Sequence, residues 1–271
     1  MLELISRTIR LAVGAALVGV LAGAGTRHNE TPRAVPREAI QTRVTVSFDF
    51  TVMFTPAEAG PERSLAERLA PLIIQEVTST NTESLWRDQF GLPSAPPQVV
   101  FESGQTLING RSHDQLDYSW TYPSNTPTIE SVRMAQGVRL TLNAAGEPVI
   151  WEVLGDSSGA NIIYVAQSLE LAARAEFGSP LPGRRFSIER SLAEAPDTIV
   201  ANVISDGPTP MGPVIYLRTA SRDVSALICR CMPSQGGRLL GQKSYELHPA
   251  VTQNSFPRVP LDQRLRLPES F

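Results

Sequence analysis

The chain has too few basic residues for a protein dedicated to nucleic acids. Its 24 lysines and arginines are outnumbered by 27 aspartates and glutamates, so the formal net charge is −3 and the pI is about 5.7. Nucleic-acid binders carry a basic excess or a basic stripe instead. We therefore expect no nucleic-acid partner.

The short motifs that would identify an enzyme are also missing. The 271 residues contain no G-x-x-x-x-G-K-[ST] or G-x-G-x-x-G phosphate loop, no H-E-x-x-H zinc helix and no G-x-S-x-G nucleophile elbow. No C-x-x-C-H motif is present, so nothing indicates covalently attached haem. These absences favour a binding or scaffolding role over catalysis.

Residues 1–25 have the pattern of a secretory signal peptide. Arg7 and Arg10 precede an uncharged apolar run over residues 11–25, and Ala22-Gly23-Ala24 matches an A-x-A cleavage site. The run is shorter than the roughly 20 residues that span a bilayer. We expect cleavage after Ala24 and an exported, periplasmic or extracellular protein.

An uncleaved anchor is the alternative interpretation of the same segment. Leu4 and Ile5 lengthen the apolar stretch, and Gly19-x-x-x-Gly23 is a spacing through which membrane helices pair. In that case the protein would contact the inner membrane only through residues 4–25. No cysteine follows the run, which argues against a lipid-anchored lipoprotein.

The rest of the chain is rich enough in apolar residues to fold. Hydrophobic residues make up 42% of the sequence, while 19 glycines and 22 prolines favour many turns over long helices. We predict a polar linker over 26–40, a β-rich globular domain over 41–232 and an irregular C-terminal tail over 233–271. At least nine strand candidates without regular strand–helix alternation predict an α+β fold. Its core would be a mostly antiparallel β-sheet with two or three short helices, after the N-terminal signal or anchor helix.

The clearest strand pattern covers residues 44–54. Apolar residues occupy every even position and mostly polar ones lie between them, so we expect Phe48, Phe50 and Phe54 to face the core and Thr51 to face solvent.

Two or three helices are predicted, from three candidate segments. The first follows Pro61 and extends to Val77, with a kink or break at Pro71. The second covers 83–90, and the third covers 169–177 with Ser168 as its cap.

Turn residues divide the middle of the chain into hairpins. Asn109-Gly110 and Ala144-Ala145-Gly146 each separate two alternating runs, and the small polar stretch 155–159 predicts a further turn. Later strands are expected at 161–166, 185–189, 198–204, 214–218 and 226–232. The proline-rich loop 206–213 would form a rigid surface turn, a kind of element that can carry recognition.

His113 and Asp117 form a weak polar cluster. On a strand, both side chains would share one face with Gln115, where a histidine and a carboxylate could bind a divalent metal or form a catalytic base. A solvated polar face opposite the apolar residues of the same strand explains the pattern equally well.

The two cysteines of the chain lie in the segment Cys229-Arg230-Cys231-Met232. On a strand, both would project to the same face. They could be buried small side chains, a disulfide, or thiolate ligands of copper or zinc with Met232 as a further ligand.

The leading functional hypothesis is an exported or membrane-anchored cell-envelope protein that binds or scaffolds an unidentified protein or small molecule. The first alternative is a soft-metal or thiol redox protein centred on Cys229 and Cys231. The second is a hydrolase that uses His113 and a nearby carboxylate.

Overall fold

The computed structural model describes residues 48–57, 63–77, 97–121, 135–207, 211–219, 221–229, 237–251 and 256–271. All of them belong to the compact unit Ala34–Phe271. The predicted signal or anchor helix, the linker and the predicted helix over 83–90 lie outside the described residues.

The main structural element is a sheet of eleven strands. Their order across the sheet is β10-β9-β2-β1-β11-β3-β4-β5-β6-β7-β8. The strands are β1 (Phe50–Pro56), β2 (Leu72–Glu76), β3 (Gln98–Ile108), β4 (Arg111–Thr121), β5 (Ala135–Leu142), β6 (Pro148–Leu154), β7 (Asn161–Ala166), β8 (Thr198–Ile204), β9 (Val214–Leu217), β10 (Val224–Ile228) and β11 (Arg238–Pro249).

The described fold is β-rich with few helices, as the sequence predicts. The helices are α1 (Leu65–Leu69), α2 (Gln167–Phe177) and a short 3-10 helix at Leu261–Gln263. Of the ten strand pairings, six are antiparallel and four are parallel. The antiparallel pairs include the run β3 to β7, where hairpin turns follow each other closely.

The sheet curls until its two edges come close together. Ile204 at the end of β8 and Ile228 at the end of β10 line one and the same cavity. The result is a nearly closed sheet.

Helix α1 is anchored against the core by two tyrosines from the sheet. The hydroxyl of Tyr118 donates to the carbonyl of Ala66 at 2.7 Å, and that of Tyr245 donates to the carbonyl of Pro71 at 2.8 Å. Leu69 is completely buried between these points. The prediction of helix up to Val77 was wrong beyond Pro71, because proline ends the helix and the next residues pair as β2 with β1 and β9.

The burial predicted for the segment 44–54 holds for Phe48, which is 4% exposed, and for Phe54, but not for Phe50 and Thr51. Phe54 and Thr51 are each only 2% exposed, whereas Phe50 is 43% exposed. Strand β11 inserts one extra residue, Leu240, where it pairs with Thr51 and Val52. Such a bulge interrupts regular pairing and bends the strand between Phe50 and Phe54, so the two side chains no longer share one buried face.

The predicted C-terminal tail contains a central strand. Strand β11 lies between β1 and β3 and pairs in parallel with both. Its side chains are mostly exposed and Tyr245 alone is fully buried, so the strand is held by backbone pairing. A strand of this kind lacks the apolar alternation from which strands are predicted.

Residues 256–271, here called the C-terminal strap, pack across the sheet as an ordered segment. Leu261 and Leu265 are completely buried. The backbone N–H of Arg266 donates to the carbonyl of Ile188 at 2.7 Å, and the side chain of Asn109 donates to the carbonyl of Pro268 at 3.0 Å. The prediction of an irregular tail is therefore wrong for Arg238–Pro249, which form β11, whereas the strap is packed but has no regular element beyond its 3-10 helix. The strand predicted at 185–189 is likewise absent, apart from one isolated bridge there to the strap.

Helix α2 begins two residues earlier than the sequence predicts. Ala166 occupies the N-cap, and Ser168 lies inside the first turn. The carboxylate of Asp206 accepts hydrogen bonds from the backbone N–H and the hydroxyl of Ser168, at 2.9 and 2.7 Å. A residue distant in sequence thus performs the capping role. No helix among the described residues is long and apolar enough to cross a membrane.

Candidate functional site

Four charged residues lie directly opposite one another on four neighbouring strands. Glu102 of β3 pairs with Asp117 of β4, Asp117 with Arg139 of β5, and Arg139 with Glu152 of β6. Residues paired in this way project to the same face of a sheet. We call this set the charged row.

The centre of the row is a buried ion pair. Arg139 donates from Nε to Oδ1 of Asp117 at 2.8 Å and from Nη2 to Oδ2 at 2.9 Å, and both side chains are buried. Burial alone would lower the pKa of Arg139, but the hydrogen bonds and charge of Asp117, with the charges of Glu152 and Glu102, raise it above its ordinary value. Arg139 is therefore held in its charged form.

The C-terminal strap supplies two further arginines to the row. Nη2 of Arg258 lies 3.5 Å from Asp117 and 3.6 Å from Glu102. Nη2 of Arg264 donates to Oε1 of Glu152 and, at 2.8 Å, to the carbonyl of Val259. Three carboxylates are thus matched by three guanidinium groups.

A cavity of about 280 Å³ lies at one end of the row, between the sheet and the strap. We call it the strap cavity. Its walls are Arg139, residues 152–156 of β6 and the following turn, residues 159–162, and the strap residues Phe256, Pro257, Val259 and Arg264. Two buried atoms of its charged walls have no hydrogen-bond partner, namely Oε2 of Glu152 and Nε of Arg264. Buried polar atoms are nearly always paired, so these two mark the cavity as a candidate binding site.

Gly155 lets the turn approach the strap. Its φ is +69°, and a Cβ at this position would lie 2.3 Å from the carbonyl oxygen of Ala135 and 3.2 Å from the ring of Phe256. Only glycine fits both this conformation and this space. The small polar stretch 155–159 is a turn, as predicted, and it forms one wall of the strap cavity.

The structure places His113 and Asp117 on one strand but gives them different partners. Nδ1 of His113 lies 3.0 Å from the carbonyl oxygen of Leu142, which can only accept, and the ring stacks on Phe271 at 4.6 Å. Both oxygens of Asp117 receive hydrogen bonds from Arg139. Both residues and the intervening Gln115 are buried, so this face is not a solvated one. The two groups do not form a base with its orienting carboxylate.

Cys229 lies beside a second, smaller cavity of about 70 Å³, here called the loop cavity. Residues of the proline-rich loop, including Asp206 and Pro213, line it together with Trp151. Cys229 is disulfide-bonded and half-buried, and it is the one cysteine among the described residues. Cys231 and Met232 lie outside them. Within the described part of the chain, no three His, Cys, Asp or Glu side chains are grouped closely enough to hold a metal ion.

Sequence reasoning missed Arg139, Glu152 and Arg264. A weak indication was present, since Arg139 and Glu152 are single charged residues within strongly apolar strands. Long charged side chains are almost never fully buried unless they are paired, so each of them called for a partner. The partner of Glu152 is 112 residues away in the chain, which no local pattern reveals.

Comparison with known proteins adds no relative from which a function could be transferred: no family model, no curated protein and no solved structure matches this chain.

Proposed function

We propose that this is an exported or membrane-anchored cell-envelope protein that acts by binding a small molecule in the strap cavity. The proposal of binding rests on two buried atoms in the charged walls of that cavity that have no hydrogen-bond partner. They are Oε2 of Glu152 and Nε of Arg264. Ligand sites combine mostly apolar walls with a few placed polar groups. Phe256, Pro257 and Val259 supply apolar walls here.

Export is supported by the sequence of residues 1–25 and by the state of Cys229. Positive charges, a short apolar run and an A-x-A exit are typical of a secretory signal. Cys229 is disulfide-bonded, and disulfides persist mainly in oxidising compartments outside the cytoplasm. Both features favour a periplasmic or extracellular protein, or one anchored to the inner membrane by residues 4–25.

Binding is favoured over hydrolysis because the charged groups neutralise one another. A general base must reach a substrate proton and is usually oriented by a further group. Asp117 is instead held by Arg139, and Nδ1 of His113 is used by a backbone carbonyl. This arrangement suits a rigid binding wall.

Cell fractionation tests export. Expressed in a bacterial host, the protein should leave the cytoplasm, and N-terminal sequencing of the processed form should begin at Gly25 or nearby. The variant Leu17→Arg, which places a charge in the apolar run, should remain unprocessed. Intact protein in the membrane fraction would support the anchor, and full-length wild-type protein in the soluble cytoplasm would contradict export.

Thermal-shift screening tests binding. A fragment library of neutral, anionic and cationic compounds is screened against the mature chain, with Val259→Trp as the cavity variant. Val259 lines the cavity but is 41% exposed, so a larger side chain can enter the cavity space without disturbing the core. Val251→Trp is the matched control, because Val251 is 77% exposed and is not among the residues that line the strap cavity. We expect at least one compound whose stabilisation is lost in Val259→Trp and kept in Val251→Trp. A screen without such a compound would contradict the proposal.

A thiol–disulfide role is the second candidate. It is favoured by one observation, the position of the disulfide-bonded Cys229 at the loop cavity beside Trp151. The test is the reduction potential of the purified protein. A value below about −300 mV is typical of structural disulfides and would reject this candidate, whereas a higher value would support it.

A further inference from the structure

The buried charges around the strap cavity are paired with each other. Arg139 is matched by Asp117, and Arg264 by Glu152. The remaining charged wall residue, Asp156, is partly exposed, and its Oδ1 accepts hydrogen bonds from the backbone N–H and the hydroxyl of Ser158. A charged ligand would lose part of its hydration against wall groups that are already paired or, in the case of Asp156, already hydrogen-bonded. This pairing therefore favours a neutral ligand.

The volume limits the size of this ligand. The cavity holds about 280 Å³, roughly twice the ~150 Å³ of an engineered cavity that binds benzene. One six-membered ring with several substituents fits this space. The strap is fixed to the sheet by the buried Leu261 and Leu265, so the part of a ligand that lies beneath the strap cannot be larger than this.

The two unpartnered atoms require opposite hydrogen-bonding groups from a ligand. A carboxylate oxygen such as Oε2 of Glu152 only accepts, and a guanidinium nitrogen such as Nε of Arg264 only donates. Both atoms are buried, so a ligand reaches them only when the side chain rotates toward the cavity, and a hydroxyl group, which both donates and accepts, then suits either atom. The ring of Phe256 and the side chain of Val259 offer apolar surface to the C–H groups of the same molecule.

Building on the proposed function, we propose that the strap cavity binds a neutral, hydroxylated molecule the size of a monosaccharide. The acceptor is the carboxylate of Glu152, the donor is the guanidinium of Arg264, and Phe256 forms the apolar wall. Any free sugar, cyclic polyol or terminal sugar of a larger glycan carries this chemistry.

Matched ligands test the charge preference. Titration calorimetry with the mature protein would use D-glucose, N-acetyl-D-glucosamine and myo-inositol as neutral probes. D-glucuronate and D-glucosamine carry one negative or one positive charge on a similar ring. We expect at least one neutral probe to bind at least tenfold more tightly than both charged ones. Equal or tighter binding of a charged probe in the strap cavity would overturn the inference and leave the proposed binding function intact.

Variants locate the binding. Val259→Trp should weaken the best neutral probe at least tenfold, while Val251→Trp should bind it like the wild type. Glu152→Gln should also weaken it at least tenfold, because the amide can turn a donor toward the ligand hydroxyl and loses the charge-assisted bond. A folded Glu152→Gln variant with unchanged affinity, unchanged binding in Val259→Trp, or no binding of any neutral probe would each overturn the inference. The thermal-shift screen distinguishes these outcomes from failure of the proposed function. If the proposed function fails, no compound of the fragment library stabilises the protein in a way that depends on Val259.

Discussion

Arg139 donates two parallel hydrogen bonds to Asp117 across the neighbouring strands β5 and β4, at 2.8 and 2.9 Å. The pair is buried at the centre of the charged row, with Arg258 of the strap on its outer side. Strands and strap are thus joined through one carboxylate. The bidentate geometry fixes the directions of both side chains as well as their separation.

Removing this carboxylate should destabilise the protein strongly. Asp117→Ala leaves the charge of Arg139 buried without its partner, and we expect a loss of about 3–5 kcal/mol in the free energy of unfolding. Urea denaturation measures this loss. Asp114→Ala is the matched control on the same strand, because Asp114 is exposed and should change stability by less than about 0.5 kcal/mol. Similar losses in both variants would contradict the central role of the buried pair.

The loss of stability caused by Asp117→Ala should stay the same when the pH is raised into the alkaline range. The pKa of Arg139 is raised above its ordinary value, so the stabilisation that its charge provides is present below the unfolded-state pKa and is lost only far into the alkaline range. The difference between wild type and variant should therefore be the same at about pH 7 and about pH 10. A difference that shrinks over this interval would show that Arg139 loses its proton there.

Two phenylalanines on β1 should respond very differently to truncation. Phe54→Ala should cost about 3–5 kcal/mol, because Phe54 is buried in the main core. Phe50→Ala should cost well under half of that, since Phe50 is 43% exposed. Thermal unfolding measures both losses, and Phe50→Ala serves as the control for Phe54→Ala because it is the same substitution on the same strand. Equal losses would mean that the regular alternation of the sequence, rather than the bulge in β11, sets the burial of this strand.

Shortening a buried side chain of the strap should also lower the stability of the whole domain. Leu265→Ala removes a fully buried side chain and should cost about 2–5 kcal/mol, as measured by chemical denaturation. Leu240→Ala, at an exposed position of β11, serves as the comparison and should change stability little. A Leu265→Ala variant as stable as the wild type would instead indicate that the strap does not pack firmly against the sheet.

Thiol labelling should distinguish the remaining interpretations of the cysteines. In exported protein purified without reductant, Cys229 should react with a maleimide only after reduction, because it is disulfide-bonded. The control is denatured, unreduced protein, in which a merely buried thiol would become reactive. Labelling of that control would favour packing, and labelling released by a chelator would favour a bound metal.

The sequence by itself determined the elements that depend on local chemistry. Asn109-Gly110 produced the turn between β3 and β4, since these residues adopt positive φ easily. Regular alternation predicted the buried face around Phe54, and Pro71 marked the end of α1. The proposal of export rests mainly on the sequence of residues 1–25, and the expectation of no nucleic-acid partner rests on the net charge.

The tertiary structure decided everything that depends on partners far apart in the chain. The bulge in β11 left Phe50 exposed, and backbone pairing with β1 and β3 ordered a strand that has no apolar pattern of its own. The walls of the strap cavity include Arg264 and Glu152, which meet across 112 residues of the chain. The free energy of such a contact depends on burial and on a matching charge, and neither is contained in the residues next to it in the sequence.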